Sequence, residues 1–340
     1  MRAVLLTGHG GTDKLVLGTD VPVPRPTDGE VLIKIAAAGI NNTDINTRTG
    51  WYQESVSGAA DAGWTGDTFQ FPRIQGADAC GTVVAVGDGV EAAVLGTRVI
   101  VEPVFRAPGA PLSSARYFGS ECDGAFAEYA VAPLRHVYSV RCDWSDIELA
   151  SVPCAFSAAE NMVSRAGISA GETVLVTGAS GGVGSASVQL IKRRGAHVIA
   201  VCSADKIAGV RALGADEVIV RATDFGAVLG GERVDAVIDM VGGAAFAAII
   251  PVLKRGGRYA SAGAIGGAQV ALDLRSLYLK DLSLFGCTVL GADVFPNLVG
   301  YIERGEIRSV VAETYPLADI AMAQSAFLTK RHIGKLVLTI

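Results

Sequence analysis

The sequence predicts an α/β protein that combines a doubly wound, parallel six-stranded domain with a β-rich domain. Residues 172–289 alternate short apolar runs with amphipathic segments, the pattern of parallel strands joined by crossover helices. Residues 1–150 are mostly strand-like runs separated by Gly and Pro turns, and the tail returns to mixed elements.

The β-rich part is predicted from its local patterns. Its strand-like runs lie at residues 3–6, 30–37, 82–86, 98–101 and 127–131. Ser145 stands three residues before Glu148, the spacing of a capping box, so a helical stretch is predicted from Ser145 through Pro153 to Gly167. In the tail we predict helices at 294–304 and 318–328 and a final strand at 336–340.

Residues 173–206 carry the most specific local pattern of the chain. Four glycines follow directly on an apolar run: Gly178, Gly181, Gly182 and Gly184. A helix is predicted at 183–194, and a second strand comes after it. In this context glycines let the backbone approach a pyrophosphate at the helix N-terminus. The pattern predicts dinucleotide binding, and the alternative is a glycine-rich surface turn in another kind of α/β protein.

The second domain is predicted to hold six parallel strands. They lie at residues 173–177, 197–201, 217–220, 234–239, 258–261 and 282–289. With crossover helices between them, the doubly wound arrangement has the strand order 3-2-1-4-5-6.

Composition excludes several classes of function. Half of the 340 residues are hydrophobic, 19% are charged and the net charge is −5, which argues against disorder, nucleic-acid binding and an anionic membrane as partner. No apolar run reaches the length of a membrane span, and no signal peptide is visible at the start. The six cysteines are far apart and form no C-x-x-C pair, which is typical of reduced thiols in a cytoplasmic protein.

Four segments resemble motifs of one superfamily, in the same order along the chain. They are G-x-N-x-x-D at 39–44, G-x-D-x-x-G-x-V-x-x-V-G at 76–87, GAFAEY at 124–129 and GKLVL at 334–338. The chain therefore resembles the medium-chain dehydrogenase/reductases, and within them the zinc-independent quinone oxidoreductase and enoyl reductase-like branch. The resemblance implies a GroES-like catalytic domain made of residues 1–154 and 291–340 and a Rossmann dinucleotide-binding domain made of residues 155–290.

The same resemblance allows a prediction about zinc, which in many members of the superfamily polarises an alcohol or carbonyl. The zinc branch places a Cys where this chain has Asn41 and a His where it has Ala77, and only Cys154 fits that ligand set. Between residues 100 and 125 only Cys122 is available for a structural zinc. We therefore predict no metal site and interpret Cys154 as a buried, small apolar residue.

The coenzyme is predicted to be NADPH. An acidic residue at the end of the second strand normally selects NAD, and Val201, Cys202 and Ser203 supply none. Ser203, Lys206 and Arg221 could bind a 2′-phosphate, whereas Asp205 could bind a ribose instead. The alternative for Lys206 and Arg221 is that both are ordinary solvated cations.

The remaining coenzyme contacts are predicted from the glycine turn and from the strand ends, with Ser157 assigned by its position relative to Cys154. The full set of predicted coenzyme residues is Ser157, Gly178, Ala179, Ser180, Gly181, Gly182, Val183, Gly184, Ser203, Lys206, Arg221, Val241, Gly242, Gly263 and Ala264.

Two residues are predicted to take part in catalysis. Tyr52 occupies the place of a tyrosine implicated in similar enoyl-thioester reductases, so its hydroxyl is the candidate donor, either to the forming enolate or to the α-carbon; alternatively it only lines the pocket. Asn41 offers an amide to the nicotinamide or to the substrate carbonyl. Asp44 and Arg48, spaced i to i+4, are interpreted as a structural ion pair, and residues 53–70 as a surface loop or flap.

These observations predict an NADPH-dependent oxidoreductase that reduces quinones or α,β-unsaturated carbonyls without zinc. The alternatives are a zinc-dependent alcohol dehydrogenase and a nicotinamide-binding sensor or scaffold without turnover. The apolar last strand at 282–289 lies at the edge of the predicted sheet, which favours pairing with a second subunit in a homodimer.

Overall fold

The structure is a computed structural model that describes residues 1–54, 64, 69–221 and 224–340. The chain divides into two compact units: Met1–Cys154 with Phe295–Ile340, and Ala155–Val294. Most of the segment 53–70, predicted as a loop or flap, lies outside the described residues. None of the helices in the described ranges is both long and apolar enough to cross a membrane.

The strands are, in chain order, β1 (Ala3–Leu6), β2 (Leu15–Gly18), β3 (Glu30–Gly39), β4 (Arg73–Ile74), β5 (Cys80–Val86), β6 (Arg98–Val101), β7 (Val104–Phe105), β8 (Arg116–Tyr117), β9 (Tyr129–Pro133), β10 (Val137–Ser139), β11 (Thr173–Val176), β12 (His197–Cys202), β13 (Glu217–Val220), β14 (Val234–Asp239), β15 (Leu253–Ser261), β16 (Ser283–Gly286), β17 (Val311–Pro316) and β18 (Lys335–Thr339).

The α-helices are α1 (Asn42–Thr49), α2 (Asp146–Leu149), α3 (Pro153–Arg165), α4 (Gly182–Arg193), α5 (Ile207–Ala212), α6 (Phe225–Leu229), α7 (Phe246–Ile249), α8 (Leu274–Leu279), α9 (Val294–Glu303) and α10 (Ile320–Leu328). Short 3₁₀ turns, such as Trp51–Glu54 and Ala204–Lys206, connect some of them.

The first unit is built on a sheet with the strand order β10-β6-β5-β3-β18-β17, in which β9 also pairs with β3. The tail strand β18 runs antiparallel to β3, with Val337 opposite Gly39. The start of β18 therefore lies beside the chain as it leaves β3, although the two segments are distant in sequence. Aliphatic and aromatic side chains such as Ile33, Val83 and Phe126 form the core under this sheet.

The second unit contains a six-stranded sheet in the order β13-β12-β11-β14-β15-β16, and every neighbouring pair is parallel. The predicted order 3-2-1-4-5-6 is therefore confirmed. The central strands β11, β12 and β14 are buried along almost their whole length, because helices cover both faces of a parallel sheet. Their sequences are accordingly continuous apolar runs rather than alternating ones.

Three predicted elements differ from the structure by more than two residues. β15 begins at Leu253, earlier than the strand predicted at 258–261. The helical stretch from Ser145 to Gly167 is two helices, α2 and α3, because Pro153 begins a new helix and has no N–H to continue the previous one. The capping box between Ser145 and Glu148 is confirmed, with each side chain bonded to the other residue's backbone N–H. The edge strand is β16 rather than the whole of residues 282–289, since it has pairing partners only along residues 258–261 of β15.

Candidate active site

In the second unit, the glycine turn lies between β11 and α4. Gly178 has φ of +57°, a conformation that side-chain-bearing residues rarely adopt. A Cβ atom on Gly184 would lie 2.2 Å from the Gly178 carbonyl oxygen, so only glycine permits this close approach of helix and turn. Gly181 is the N-cap of α4, and no side-chain hydrogen bond caps the helix there. The first N–H groups of α4 are therefore available to an anionic group, which fits a dinucleotide pyrophosphate.

The predicted turn residues Gly178, Ala179, Ser180, Gly181, Gly182, Val183 and Gly184 thus form one continuous structure. Ala179 replaces a glycine of the usual motif and is fully buried. Its N–H donates to the Val201 carbonyl oxygen at 3.0 Å, which ties the turn to β12.

Lys206 lies beside this turn. Its Nζ atom is 3.5 Å from Ser180 Oγ, and only 7% of the residue is exposed. Burial lowers the pKa of its ammonium group. The alternative that Lys206 is an ordinary solvated cation is wrong, because the side chain folds back over the turn instead of extending into water.

Ser203, Asp205 and Arg221 surround the end of β12. A hydrogen bond from the Ser203 hydroxyl is the main cause of the lowered pKa of the exposed Asp205 carboxyl. Arg221 is exposed, and its N–H donates to the Cys202 carbonyl oxygen at 2.8 Å. This edge of the sheet therefore presents two cations and one carboxylate.

At the end of β14, Asp239 organises the loops that carry the predicted contacts Val241 and Gly242. Its fully buried carboxylate accepts the Val241 N–H at 2.8 Å, the Gly242 N–H at 3.2 Å and the Tyr259 hydroxyl at 2.5 Å. The Thr177 hydroxyl donates to the same carboxylate. Sequence analysis did not identify this role, although a carboxylate ending an apolar strand was the available signal.

The loop after β15 contacts the loop after β14. The Gly266 N–H donates to the Val241 carbonyl oxygen at 2.7 Å, and the Gly263 carbonyl accepts the Ser261 hydroxyl at 3.1 Å. Gly263 and Ala264 therefore belong to the same backbone assembly as Val241 and Gly242. Ser157 lies on α3, three residues after Cys154, and is buried.

In the first unit, a buried polar cluster is centred on Asp78. Its carboxylate is fully buried and accepts three hydrogen bonds. Lys335 Nζ donates to Oδ2 at 2.7 Å, Asn41 Nδ2 donates to Oδ2 at 2.9 Å, and the Cys154 N–H donates to Oδ1 at 2.5 Å. The carboxylate thus joins α1, α3 and β18, and its charge is balanced by the Lys335 ammonium.

Asn41 is the N-cap of α1, and both ends of its amide are bonded within the cluster. Its Oδ1 accepts from Lys335 Nζ at 2.5 Å, while Nδ2 donates to Asp78 and, at 3.4 Å, to the Gly39 carbonyl oxygen. Its own N–H donates to Asp44 Oδ2 at 2.8 Å. Both ends of the amide are therefore held by hydrogen bonds within the protein.

Asp44 lies next to this cluster and is also buried. Burial raises its pKa to about 7, against the opposing effects of the Asn41 N–H and the Lys335 charge. The predicted ion pair with Arg48 is wrong: Arg48 Nε donates to Gln324 Oε1 at 2.8 Å, and its Nη1 donates to the Gly10 carbonyl oxygen. Position along α1 turns the guanidinium toward α10, away from the Asp44 carboxylate.

Two tyrosines and a cysteine complete the cluster. The Tyr52 hydroxyl donates to Thr43 Oγ1 at 3.3 Å, and the Tyr117 hydroxyl lies 2.9 Å from Cys154 Sγ. Burial raises the pKa of Tyr52 and of Tyr117, and it raises the pKa of the Cys154 thiol to about 12. All three groups therefore keep their protons at neutral pH. Cys154 is only partly buried and has polar contacts, so its interpretation as a purely apolar residue is corrected.

Tyr117 and Lys335 were not identified by sequence analysis. Lys335 stands in the superfamily-like segment 334–338, which was the available signal, whereas nothing local distinguishes Tyr117. Among the residues that the structure describes, no three His, Cys, Asp or Glu side chains come together in a group that could hold a metal ion. The Lys335 ammonium lies against Asn41 and Asp78, beside the positions compared above with zinc ligands.

Two family descriptions match the chain. Residues 27–141 match the alcohol dehydrogenase GroES-like domain, and residues 213–338 match the zinc-binding dehydrogenase family. The chain is 30% identical to acryloyl-coenzyme A reductase of Metallosphaera sedula over the full length of both chains. It is 28% identical to human quinone oxidoreductase, covering 99% of this chain and 97% of the human one.

A solved structure from Sinorhizobium meliloti, provisionally described as an alcohol dehydrogenase, is also similar. Its identity is 46% and its TM-score 0.94, over 100% of this chain and 96% of that one. The GroES-like unit and the parallel-sheet unit define an oxidoreductase of a family that uses a nicotinamide coenzyme. The chain belongs to the medium-chain dehydrogenase/reductase superfamily, in its quinone oxidoreductase-like branch.

Proposed function

We propose that this protein is an NADPH-dependent reductase of quinones or other α,β-unsaturated carbonyl compounds and that it works without zinc. The observation that carries the proposal is the cluster around Asp78, in which an ammonium group and protonated hydroxyl and thiol groups lie together. When bound, the reduced coenzyme supplies a hydride. A conjugated carbonyl can accept it without a Lewis acid if hydrogen-bond donors stabilise the charge that develops on oxygen.

Binding of the coenzyme is assigned to the second unit. The uncapped N-terminus of α4 would hold the pyrophosphate, and the backbone at Val241, Gly242, Gly263 and Ala264 would line the site with Ser157. Lys206, Ser203 and Arg221 would hold the 2′-phosphate, for which the buried ammonium next to Ser180 is the main support. The Asp205 carboxylate would repel a 2′-phosphate. The measurement that decides between the two coenzymes is therefore a comparison of NADPH binding with NADH binding.

The residues proposed to take part in catalysis lie in the first unit. Tyr52 is the proposed proton donor to the α-carbon, since burial keeps its hydroxyl protonated. The main role proposed for Asn41 is to position Lys335 and Asp78, because its amide is hydrogen-bonded to both side chains. For either residue, the test is a variant with intact coenzyme binding and reduced turnover.

The second candidate function is a zinc-dependent alcohol dehydrogenase, which the match of residues 213–338 to the zinc-binding dehydrogenase family favours. A zinc ion at the positions compared above with zinc ligands, Asn41 and Cys154, would have to displace Lys335 Nζ from its hydrogen bonds with Asn41 and Asp78. Elemental analysis of the purified protein distinguishes the two candidates. Stoichiometric zinc, with alcohol oxidation that a chelator abolishes, would reverse the proposal.

Activity assays on the purified protein distinguish an enzyme from a nicotinamide-binding sensor or scaffold without turnover. We expect steady NADPH consumption with simple quinones, enones and enoyl thioesters, and slower consumption of NADH. Fluorescence-detected coenzyme binding without consumption in the presence of any of these acceptors would favour the non-catalytic alternative.

We also propose that the protein is a cytoplasmic homodimer formed through the β16 edge. In the part of the chain that the structure describes, β16 pairs only with β15, and Leu284 on it is 38% exposed. Leu274, Tyr278 and Leu279 on the preceding helix are more than half exposed. Light scattering should give twice the chain mass for the wild type. Leu284→Lys should give the monomer, whereas a monomeric wild type would contradict the proposal.

A further inference from the structure

The Tyr117 hydroxyl is held by a weak partner. Among the residues described, the hydrogen bond of this hydroxyl is with Cys154 Sγ, and sulfur is a weak acceptor and a weak donor. Asp78, in contrast, accepts three bonds from nitrogen donors. A buried hydroxyl with only a thiol partner gains free energy when a stronger acceptor, such as a carbonyl or enolate oxygen, takes the place of sulfur.

The position of Tyr117 is also fixed before any ligand arrives. The residue ends β8 and pairs with Val104 across the two-stranded sheet. Its N–H donates to Glu121 Oε2 at 2.9 Å, and its ring packs against Trp64 with centroids 4.8 Å apart. Tyr52 stands instead in a short 3₁₀ turn. Tyr117 therefore offers a pre-positioned O–H group, which is the property that stabilises charge developing on an oxygen atom.

We infer that Tyr117 donates the hydrogen bond that binds the carbonyl oxygen of the substrate, and that Cys154 holds this hydroxyl in place until the substrate replaces it. The inference rests on the proposed function, because it assigns a role within that reaction. It separates two tasks: Tyr117 stabilises the oxygen, while Tyr52 protonates carbon.

The chemistry balances for an enone. A hydride supplied by the reduced coenzyme, with its electron pair, would form a C–H bond at the β-carbon. The π pair of the C=C bond would become the enolate C=C, and the π pair of the C=O bond would move to oxygen, to which Tyr117 donates. The Tyr52 O–H bond then breaks and the α-carbon takes its proton. The carbonyl re-forms, and Tyr52 regains a proton from water. Each turnover would therefore consume one hydride from the reduced coenzyme and one proton from solvent.

Quinone substrates distinguish the role of Tyr117 from that of Tyr52. Reduction of a quinone to a hydroquinone requires charge stabilisation and protonation at oxygen, with no net protonation of a carbon. Tyr117→Phe should therefore lower kcat/KM for both quinones and enones by about 10²-fold, the usual effect of removing one oxyanion donor. Tyr52→Phe should lower it for enones alone.

The matched control is Tyr129→Phe, on β9 and outside the cluster, which should leave both rates unchanged. Tyr117→Phe keeps the ring that packs on Trp64, and its circular dichroism and coenzyme dissociation constant should match those of the wild type. Unchanged kcat/KM in a folded Tyr117→Phe variant would overturn the inference even if the wild type is an active reductase.

An equilibrium measurement tests the same contact without turnover. Dimethylaminocinnamaldehyde is a push–pull enal whose absorption band moves to the red when its carbonyl oxygen accepts a hydrogen bond. We expect a red shift on binding to the wild type in the absence of coenzyme and a smaller shift with Tyr117→Phe. Equal shifts would overturn the inference. A wild type that reduces no acceptor but shifts the band more than Tyr117→Phe does would refute the proposed function and retain Tyr117 as a carbonyl-binding residue.

Discussion

Lys335 Nζ lies 2.7 Å from Asp78 Oδ2, and both side chains are almost completely buried. The two residues belong to segments 257 positions apart in the chain, so the pair joins the tail strand β18 to the segment just before β5. A buried charge is costly unless it is paired and hydrogen-bonded, and Asn41 and the Cys154 N–H complete the bonding of this pair. The pair therefore sets the geometry of the candidate site.

Removing one partner of this pair should be strongly destabilising. We expect Lys335→Met to lower the free energy of unfolding by about 3–5 kcal/mol, because it leaves the Asp78 carboxylate buried without its cation. Urea denaturation measures this. Asp78→Asn in the Lys335→Met background should restore part of the loss. As control, Arg2→Met breaks an exposed ion pair with Glu128 and should cost less than about 1 kcal/mol. Similar losses for the two single variants would contradict a structural role for the buried pair.

Asp44 should make stability fall as the pH rises. Its pKa is 3.8 in the unfolded chain and about 7 in the fold, mainly through burial, so the folded state binds the proton more tightly. Ionisation of the buried Asp44 carboxyl lowers the free energy of unfolding. This loss is absent below pH 3.8, grows as the pH rises and is complete above about 7. At about 1.4 kcal/mol per pH unit, the total is on the order of 4 kcal/mol.

Comparing the wild type with Asp44→Asn separates the effect of the Asp44 carboxyl on stability from the effects of all other titrating groups. The variant should gain stability relative to the wild type as the pH is raised from 4 to 8, as followed by thermal unfolding at each pH. A constant difference in Tm across this range would show that the carboxyl does not titrate there.

Lys206→Ala should weaken NADPH binding by about ten- to a hundredfold and NADH binding much less. The expected effect corresponds to the loss of one hydrogen bond to a charged group. Fluorescence titration with each coenzyme measures it, and Arg211→Ala, an exposed cation on α5, serves as control. An equal loss for the two coenzymes would place Lys206 away from the 2′-phosphate and leave it a role in holding the Ser180 turn.

Tyr52→Phe should reduce turnover of enones by about 10²-fold or more, as expected for the loss of a general acid, with NADPH binding intact. The stereochemistry of protonation provides a second readout. With an α-methyl enone in D₂O, the wild type should deliver deuterium to one face of the α-carbon. The variant should give a mixture of products, since water then supplies the proton. An unchanged rate and a single product isomer would remove Tyr52 from the mechanism.

Local sequence patterns were sufficient to predict the fold of the second unit. A glycine turn is a short-range structure, so Gly178 and Gly184 could be assigned to it from their spacing and from the flanking strand and helix. The parallel sheet follows from apolar runs alternating with helices, and its order is confirmed. The division of the stretch from Ser145 to Gly167 into two helices was not predicted, although Pro153 marks where the second helix begins.

The sequence by itself determined the fold class, the superfamily and the glycine turn, because each depends on patterns within a few residues or on their order along the chain. Only the tertiary structure brought Lys335 to Asn41 and Asp78, placed Tyr117 on Cys154 and turned Arg48 toward Gln324. The pairing of β18 with β3 brings distant segments together, and burial then sets which protons the side chains keep. Neither effect has a signature in local spacing.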